Sequence, residues 1–137
     1  MWWIYALLSA VFAALTAIFA KIGIKGVDTD LATAIRTVIV LILAWSIAFF
    51  RGGINTIHTL TRHSILFLIL SGVATGLSWI FYFKALQIGK VSLVAPVDKA
   101  SVAIAIILSI IFLGETLTLK MAIGAIMIIA GTIILIF

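Results

Sequence analysis

The feature that most constrains this chain is a set of five apolar runs, over residues 2–20, 31–50, 64–83, 91–113 and 119–137. A helix needs about 20 apolar residues to cross the hydrocarbon of a bilayer, and each run is near that length. Backbone amides in hydrocarbon must bond within their own segment, so helix is enforced even where Ile and Val abound. Composition agrees. Of the 137 residues 66% are hydrophobic and 9% charged, where a soluble domain carries about 25% charged residues. A soluble domain of this size could not withdraw so much apolar side chain from water. That excludes a soluble enzyme, a soluble binding module and a disordered chain. The expected fold is all-α, an integral membrane bundle of five transmembrane helices forming one domain over residues 1–137.

The punctuation between runs follows helix-end chemistry. Asp28, Thr29 and Asp30 precede the second run and can cap it. Gly52 and Gly53 stop that run, Gly89 separates the third from the fourth, Gly114 ends the fourth, and Thr116 or Thr118 can open the fifth. The longest connection, residues 51–63, is polar and holds both His58 and His63. The first run is expected to be a span rather than a cleaved signal peptide, because no positive charge precedes it and it exceeds a usual signal core.

Charge gives little direction. The net +5 comes from Lys and Arg that sit singly near the ends of runs, which reads as membrane anchoring and not as a nucleic-acid surface. With spans alternating, one side receives Lys21, Lys25, Lys84, Lys90 and the carboxyl terminus; the other receives Arg51, Arg62, Lys120 and the amino terminus. The positive-inside rule does not choose between these sides. A single fixed orientation and dual insertion with head-to-tail pairing both fit.

Lys21, Arg36, Lys84, Asp98 and Lys99 lie within or at the ends of the apolar spans. A charge in mid-bilayer costs several kcal/mol, on the order of ~3, so it faces protein or water. Arg36 follows Asp30 by six residues and Asp98 follows Ser92 by six, roughly 9 Å along a helix axis in each case. By alternation all five charges fall toward one side. They form either a structural arrangement, with Lys21 and Lys84 snorkelling and Arg36 bridging Asp98, or a shared vestibule with excess positive charge for an anionic group.

Helical stripes add polar and small positions: Asp98, Ser101, Ala105 and Ser109 on the fourth span, and Ser71, Thr75, Ser78 and Tyr82 on the third. They fit either close helix packing or a cavity. Trp79 and Tyr82 fit the wall of a substrate pocket or an aromatic belt. Pro96 frees a carbonyl near Ser92 and is expected to kink the entry of the fourth span, beside Asp98 and Lys99. Gly124 and Gly131, seven apart, share a face and suggest a packing or dimer seam. No phosphate loop, metalloprotease motif or catalytic triad is present. A non-enzymatic protein without metal or other cofactor is expected. The absence of cysteine removes disulfide and thiolate sites.

Several stretches together resemble the EamA domain of the drug/metabolite transporter superfamily, in particular its small single-domain prokaryotic members. They are the residues from Trp79 to Gly89 (WIFYFKALQIG), Ala95-Pro96-Val97-Asp98-Lys99, and Phe112-Leu113-Gly114-Glu115 continuing to Thr118. Phe19-Ala20-Lys21-Ile22-Gly23, Ala34-Ile35-Arg36-Thr37, Gly124 and Gly131 extend the likeness over essentially the whole chain. The resemblance implies five helices per domain and transport of small metabolites. Most such proteins carry two domains as inverted repeats around a shared cavity, a common transporter plan, so this chain is expected to form a homodimer, antiparallel in preference. Glu115 matches the family's Gly-Glu position and is expected to pair with Lys120 or cap the fifth helix. The first run lacks the buried acid of the related small multidrug transporters, so proton-coupled cation export by that route is not expected.

The reading that follows is a multi-pass transporter of the inner (plasma) membrane of a prokaryote, working by alternating access on an anionic or zwitterionic metabolite. Arg36, Trp79, Tyr82, Asp98 and Lys99 are the expected substrate-binding residues, with Lys21, Lys84 and Ser101 in the vestibule. Asp98 would pair with Arg36 or Lys99 when the site is empty and take up a proton during coupling. The alternatives are a non-transporting membrane partner subunit, and a half-transporter that needs an oppositely oriented paralogue.

Overall fold

A computed structural model describes the whole chain, Met1–Phe137, as helices without strands. Five helices are long and apolar enough to cross a membrane. They are α1 (Trp2–Gly23), α2 (Thr29–Phe50), α3 (Arg62–Ile88), a fourth span divided into α4 (Val91–Asp98) and α5 (Ser101–Leu113), and α6 (Leu119–Ile136). A 3-10 helix over Gly53–Thr59 lies between α2 and α3. The fold is the all-α membrane bundle that the apolar runs dictate.

Most helix ends form where the sequence places their chemistry. The Asp28 carboxylate accepts from the amides of Asp30 and Leu31, both at 3.0 Å, and so caps α2. Gly52, at φ 72°, takes the left-handed conformation that follows α2. Gly114, at φ 67°, does the same after α5. Thr61 caps α3: its hydroxyl accepts from the Ser64 amide at 3.1 Å and lies 2.8 Å from the Ser64 hydroxyl. Thr118 caps α6 through the Met121 amide at 3.3 Å. Thr118, not Glu115, therefore opens the fifth span. Glu115 is exposed, and the expected ion pair with Lys120 does not form. His63 belongs to the first turn of α3 and not to the connection. Its ring stacks at 4.7 Å on Phe67, one turn along.

Pro96 is accommodated within α4, and the fourth span breaks three residues later. The Lys99 amide is shared between the carbonyls of Ala95 and Pro96, at 3.3 and 3.0 Å. Ala100, Val102 and Ala103 then bond three residues back, to Val97, Lys99 and Ala100. This is a short 3-10 passage, and the charged pair Asp98–Lys99 sits at it.

The chain divides into two compact units, Met1–Phe19 with Ile88–Phe137, and Ala20–Gln87. In the first, α4 and α5 both pack on α6. The Thr132 hydroxyl of α6 is buried, donates to the Ile128 carbonyl at 2.8 Å and also approaches the Pro96 carbonyl at 3.4 Å. Gly124 and Gly131 have no atom within 4 Å of where a Cβ would stand, so the expected seam is not one within the chain. In the second unit the ends of α1 and α3 interlock. The Lys21 ammonium donates to the carbonyls of Leu86 and Gln87, while the Gln87 amide donates to that of Val27 at 2.8 Å. Lys21 thus caps carbonyls that the end of α3 leaves open, and Gln87 holds the connection that follows α1. Buried apolar residues are few, with Ile24, Phe83 and Leu86 the largest. Nearly all remaining Leu, Ile, Val and Phe side chains face outward, as a hydrocarbon solvent requires.

Candidate functional site

The site is built on the buried face of α2. Thr29 and Thr33 are buried, and Arg36 follows on the same face. The Thr33 hydroxyl folds back onto the Thr29 carbonyl at 2.7 Å, and that of Thr37 onto Thr33 at 2.8 Å. The threonines therefore satisfy themselves within the helix. Arg36 brings five donors to the same face and no acceptor.

The face of α3 that meets Arg36 is aromatic. Its guanidinium carbon lies 4.2 Å from the centre of the Phe83 ring and 5.3 Å from that of Trp79. Both are cation–π distances. Phe83 is 1% exposed, and the Tyr82 ring packs against it at 5.7 Å. The ring faces offset part of the desolvation of the cation. They supply no conventional hydrogen-bond acceptor, and Nη1 of Arg36 is buried without a partner. A buried donor without an acceptor costs about 1–3 kcal/mol, more when charged. Such an atom marks a place where a ligand would recover that energy.

The other expected site residues divide between the two units. Trp79 and Tyr82 fall in the same unit as Arg36, and the structure brings Trp79 onto it. Lys21, in that unit too, is held at the α3 carbonyls, and Lys84 is exposed. Asp98, Lys99 and Ser101 belong to the unit that contains α6. Asp98 pairs with Lys99 at 3.4 Å, with side chains 36% and 59% exposed respectively. Ser101 is exposed on the first turn of α5. The polar stripe Ser71, Thr75 and Ser78 is exposed, and the Thr75 hydroxyl bonds back to the Ser71 carbonyl at 2.9 Å.

Sequence reading missed Phe83 and Thr132. Phe83 stands four residues after Trp79 and one turn along the same face, so the aromatic pair was visible as a spacing. Thr132 gives no such signal, because a lone threonine in an apolar helix is common.

The EamA-like transporter family matches residues 1–137. A Sinorhizobium protein named an uncharacterized transporter is 45% identical over 134 residues, covering 98% of this chain and 95% of its own. An uncharacterized protein of Methanocaldococcus jannaschii is 43% identical over 67 residues, 49% of each chain. No solved structure matches. The resemblance seen in the motifs thus extends across the entire chain, and a transporter family agrees with the expected non-enzymatic role. With five helices of spanning length, full coverage by the family and a similar transporter of nearly the same length, this chain belongs to the EamA-like transporter family and is a multi-pass membrane transporter.

Proposed function

We propose that the protein moves an anionic or zwitterionic small metabolite across the inner (plasma) membrane of a prokaryote by alternating access. The observation that carries this reading is Arg36, whose buried Nη1 lacks an acceptor while aromatic rings flank the guanidinium. The rings give the guanidinium no conventional hydrogen-bond acceptor, and a guanidinium fork matches a carboxylate or phosphate. Trp79 and Tyr82 shape the apolar part of the pocket. Lys99 is a second cation for the solute, and Asp98 is its partner in the empty state and a proton acceptor during coupling. Lys21, Lys84 and Ser101 complete the vestibule.

The working unit is a homodimer of single-domain chains over residues 1–137, paired head to tail. The near balance of Lys and Arg between the two sides supports it. So do the open positions of Gly124 and Gly131, where a second backbone could approach closely.

The test is transport and thermal-shift screening in liposomes and detergent against panels of anions and cations. Arg36→Ala and Lys99→Ala are expected to lose the response to an anionic or zwitterionic ligand that the wild type shows. Wild-type binding of every ligand by both variants would defeat the charged site. Labelling both chain ends in intact cells tests the pairing: each end reached from both sides supports the antiparallel homodimer, and one-sided labelling overturns it.

A further inference from the structure

The connection between α2 and α3 holds a feature that solute transport does not use. Its 3-10 helix packs against α2 and borders an open recess of about 280 Å³. The apolar lining comes from Trp45, Ala48, Ile54, Ile57 and Leu60, and Gly53, Thr56 and Thr59 complete it. The two threonine hydroxyls donate to the carbonyls of Gly53 and Thr56, at 2.7 Å each. They are turned to the backbone, so the recess suits hydrocarbon better than a polar solute.

Its borders are cationic. Arg51 stands two residues before the lining residue Gly53, and Arg62 two residues after Leu60. Two residues span at most about 7 Å, within reach of an arginine side chain. Both arginines are exposed, as are His58 and His63. No Asp or Glu occurs between Asp30 and Asp98; neither the connection nor α3 carries a carboxylate, and that of α2 is Asp30, in its first turn at the opposite end from Arg51. With α2 and α3 read as spans, their connection falls where the chain leaves the hydrocarbon, among the lipid headgroups. Ile57 and Leu60 are 46% and 45% exposed there.

We propose that this pocket is a binding site for an anionic phospholipid of the adjoining leaflet. One acyl chain enters the recess against Trp45, Ile54, Ile57 and Leu60, and the phosphate is held by Arg51 and Arg62. The pairing of a mainly apolar recess with two guanidinium groups that have no carboxylate partner matches the two halves of such a lipid. A soluble metabolite would leave the recess empty. Guanidinium forks suit phosphate oxygens.

Native mass spectrometry of the purified protein in detergent, titrated with phosphatidylglycerol or phosphatidylcholine of the same acyl chains, tests the site. The wild type is expected to retain phosphatidylglycerol preferentially. The double variant R51Q/R62Q, altered at exposed positions, should bind it about tenfold to thirtyfold more weakly and lose the preference. Ile57→Trp, which fills the recess, should weaken both lipids. Equal retention of the two lipids by the wild type would overturn the proposal, as would wild-type retention by R51Q/R62Q. Competition by soluble glycerol phosphate at equal concentration would reassign the arginines to a free anion. A shift of Ile57→Trp from dimer to monomer, with phosphatidylglycerol retention intact, would reassign the recess to a second copy of the chain.

Discussion

Arg36 and the pair Asp98–Lys99 are both charges inside apolar spans, and the chain accommodates them in opposite ways. Arg36 lies on an uninterrupted helix, about 10 Å along its axis from Thr29. It keeps its charge by lying against Phe83 and Trp79, and one of its nitrogens goes without a partner. Asp98 and Lys99 stand where the helix itself gives way, partly exposed, each with its neutralising partner next in sequence. The first arrangement is costly and rigid. The second is cheap and movable, because a 3-10 passage shifts with small changes in its bonding. Under the proposed function the contrast would separate a binding role from a coupling role: unsatisfied donors favour a ligand, while a half-exposed ion pair at a break can open and close with little change in stability.

The largest expected effect tests the rigidity of the Arg36 side. Phe83→Ala removes a fully buried ring that also carries the cation, and should lower stability by about 3–5 kcal/mol, read as thermal unfolding in detergent. A small loss would mean that the aromatic wall is not packed as described. Next, Arg36→Met should reduce flux of the transported anion in liposomes by about 10- to 100-fold. The same variant should leave thermal stability unchanged or raised, because an apolar side chain replaces a half-buried cation with one nitrogen that lacks an acceptor. A destabilised variant with unimpaired flux would make Arg36 structural and erase the contrast.

Smaller effects sharpen the comparison. Gln87→Ala leaves the Val27 carbonyl without its donor and should cost about 1 kcal/mol, measured in the same unfolding assay. Thr132→Val should cost about 0.6 kcal/mol, the usual scale of an interhelical hydrogen bond in a membrane. Asp98→Asn should change stability by less than about 0.5 kcal/mol, yet flux should no longer respond to an imposed proton gradient. Wild-type dependence on the gradient in that variant would remove Asp98 from the coupling.

Much of this molecule is legible without coordinates because its rules are local. Asp28, Gly52, Gly114 and Thr118 mark helix ends through bonds to residues two to five positions away. The break in the fourth span was only half legible. Pro96 announces a disturbed helix, but losing one amide in the second turn is tolerated. The break falls instead at Lys99 and Ala100, where the bonds shorten to three residues and the Thr132 hydroxyl of α6, shared with Ile128, comes within 3.4 Å of the Pro96 carbonyl. That donor lies 36 residues away in sequence. The two lysines at the ends of α1 and α3 look alike in sequence and differ in the fold: Lys21 is held by the carbonyls of α3, and Lys84 is exposed.

By itself, then, the order of residues determined the solvent, the five spans, their ends and the family, because each depends on length, composition or chemistry within a turn or two. Tertiary structure alone decided which faces meet: Phe83 beneath Arg36, Gln87 against Val27, Thr132 beside Pro96. In water an apolar stripe reveals the inward side of a helix. In lipid the outward side is just as apolar, α3 carries no amphipathic bias at all, and contacts are selected by shape and by a few polar groups, which only the assembled helices bring together.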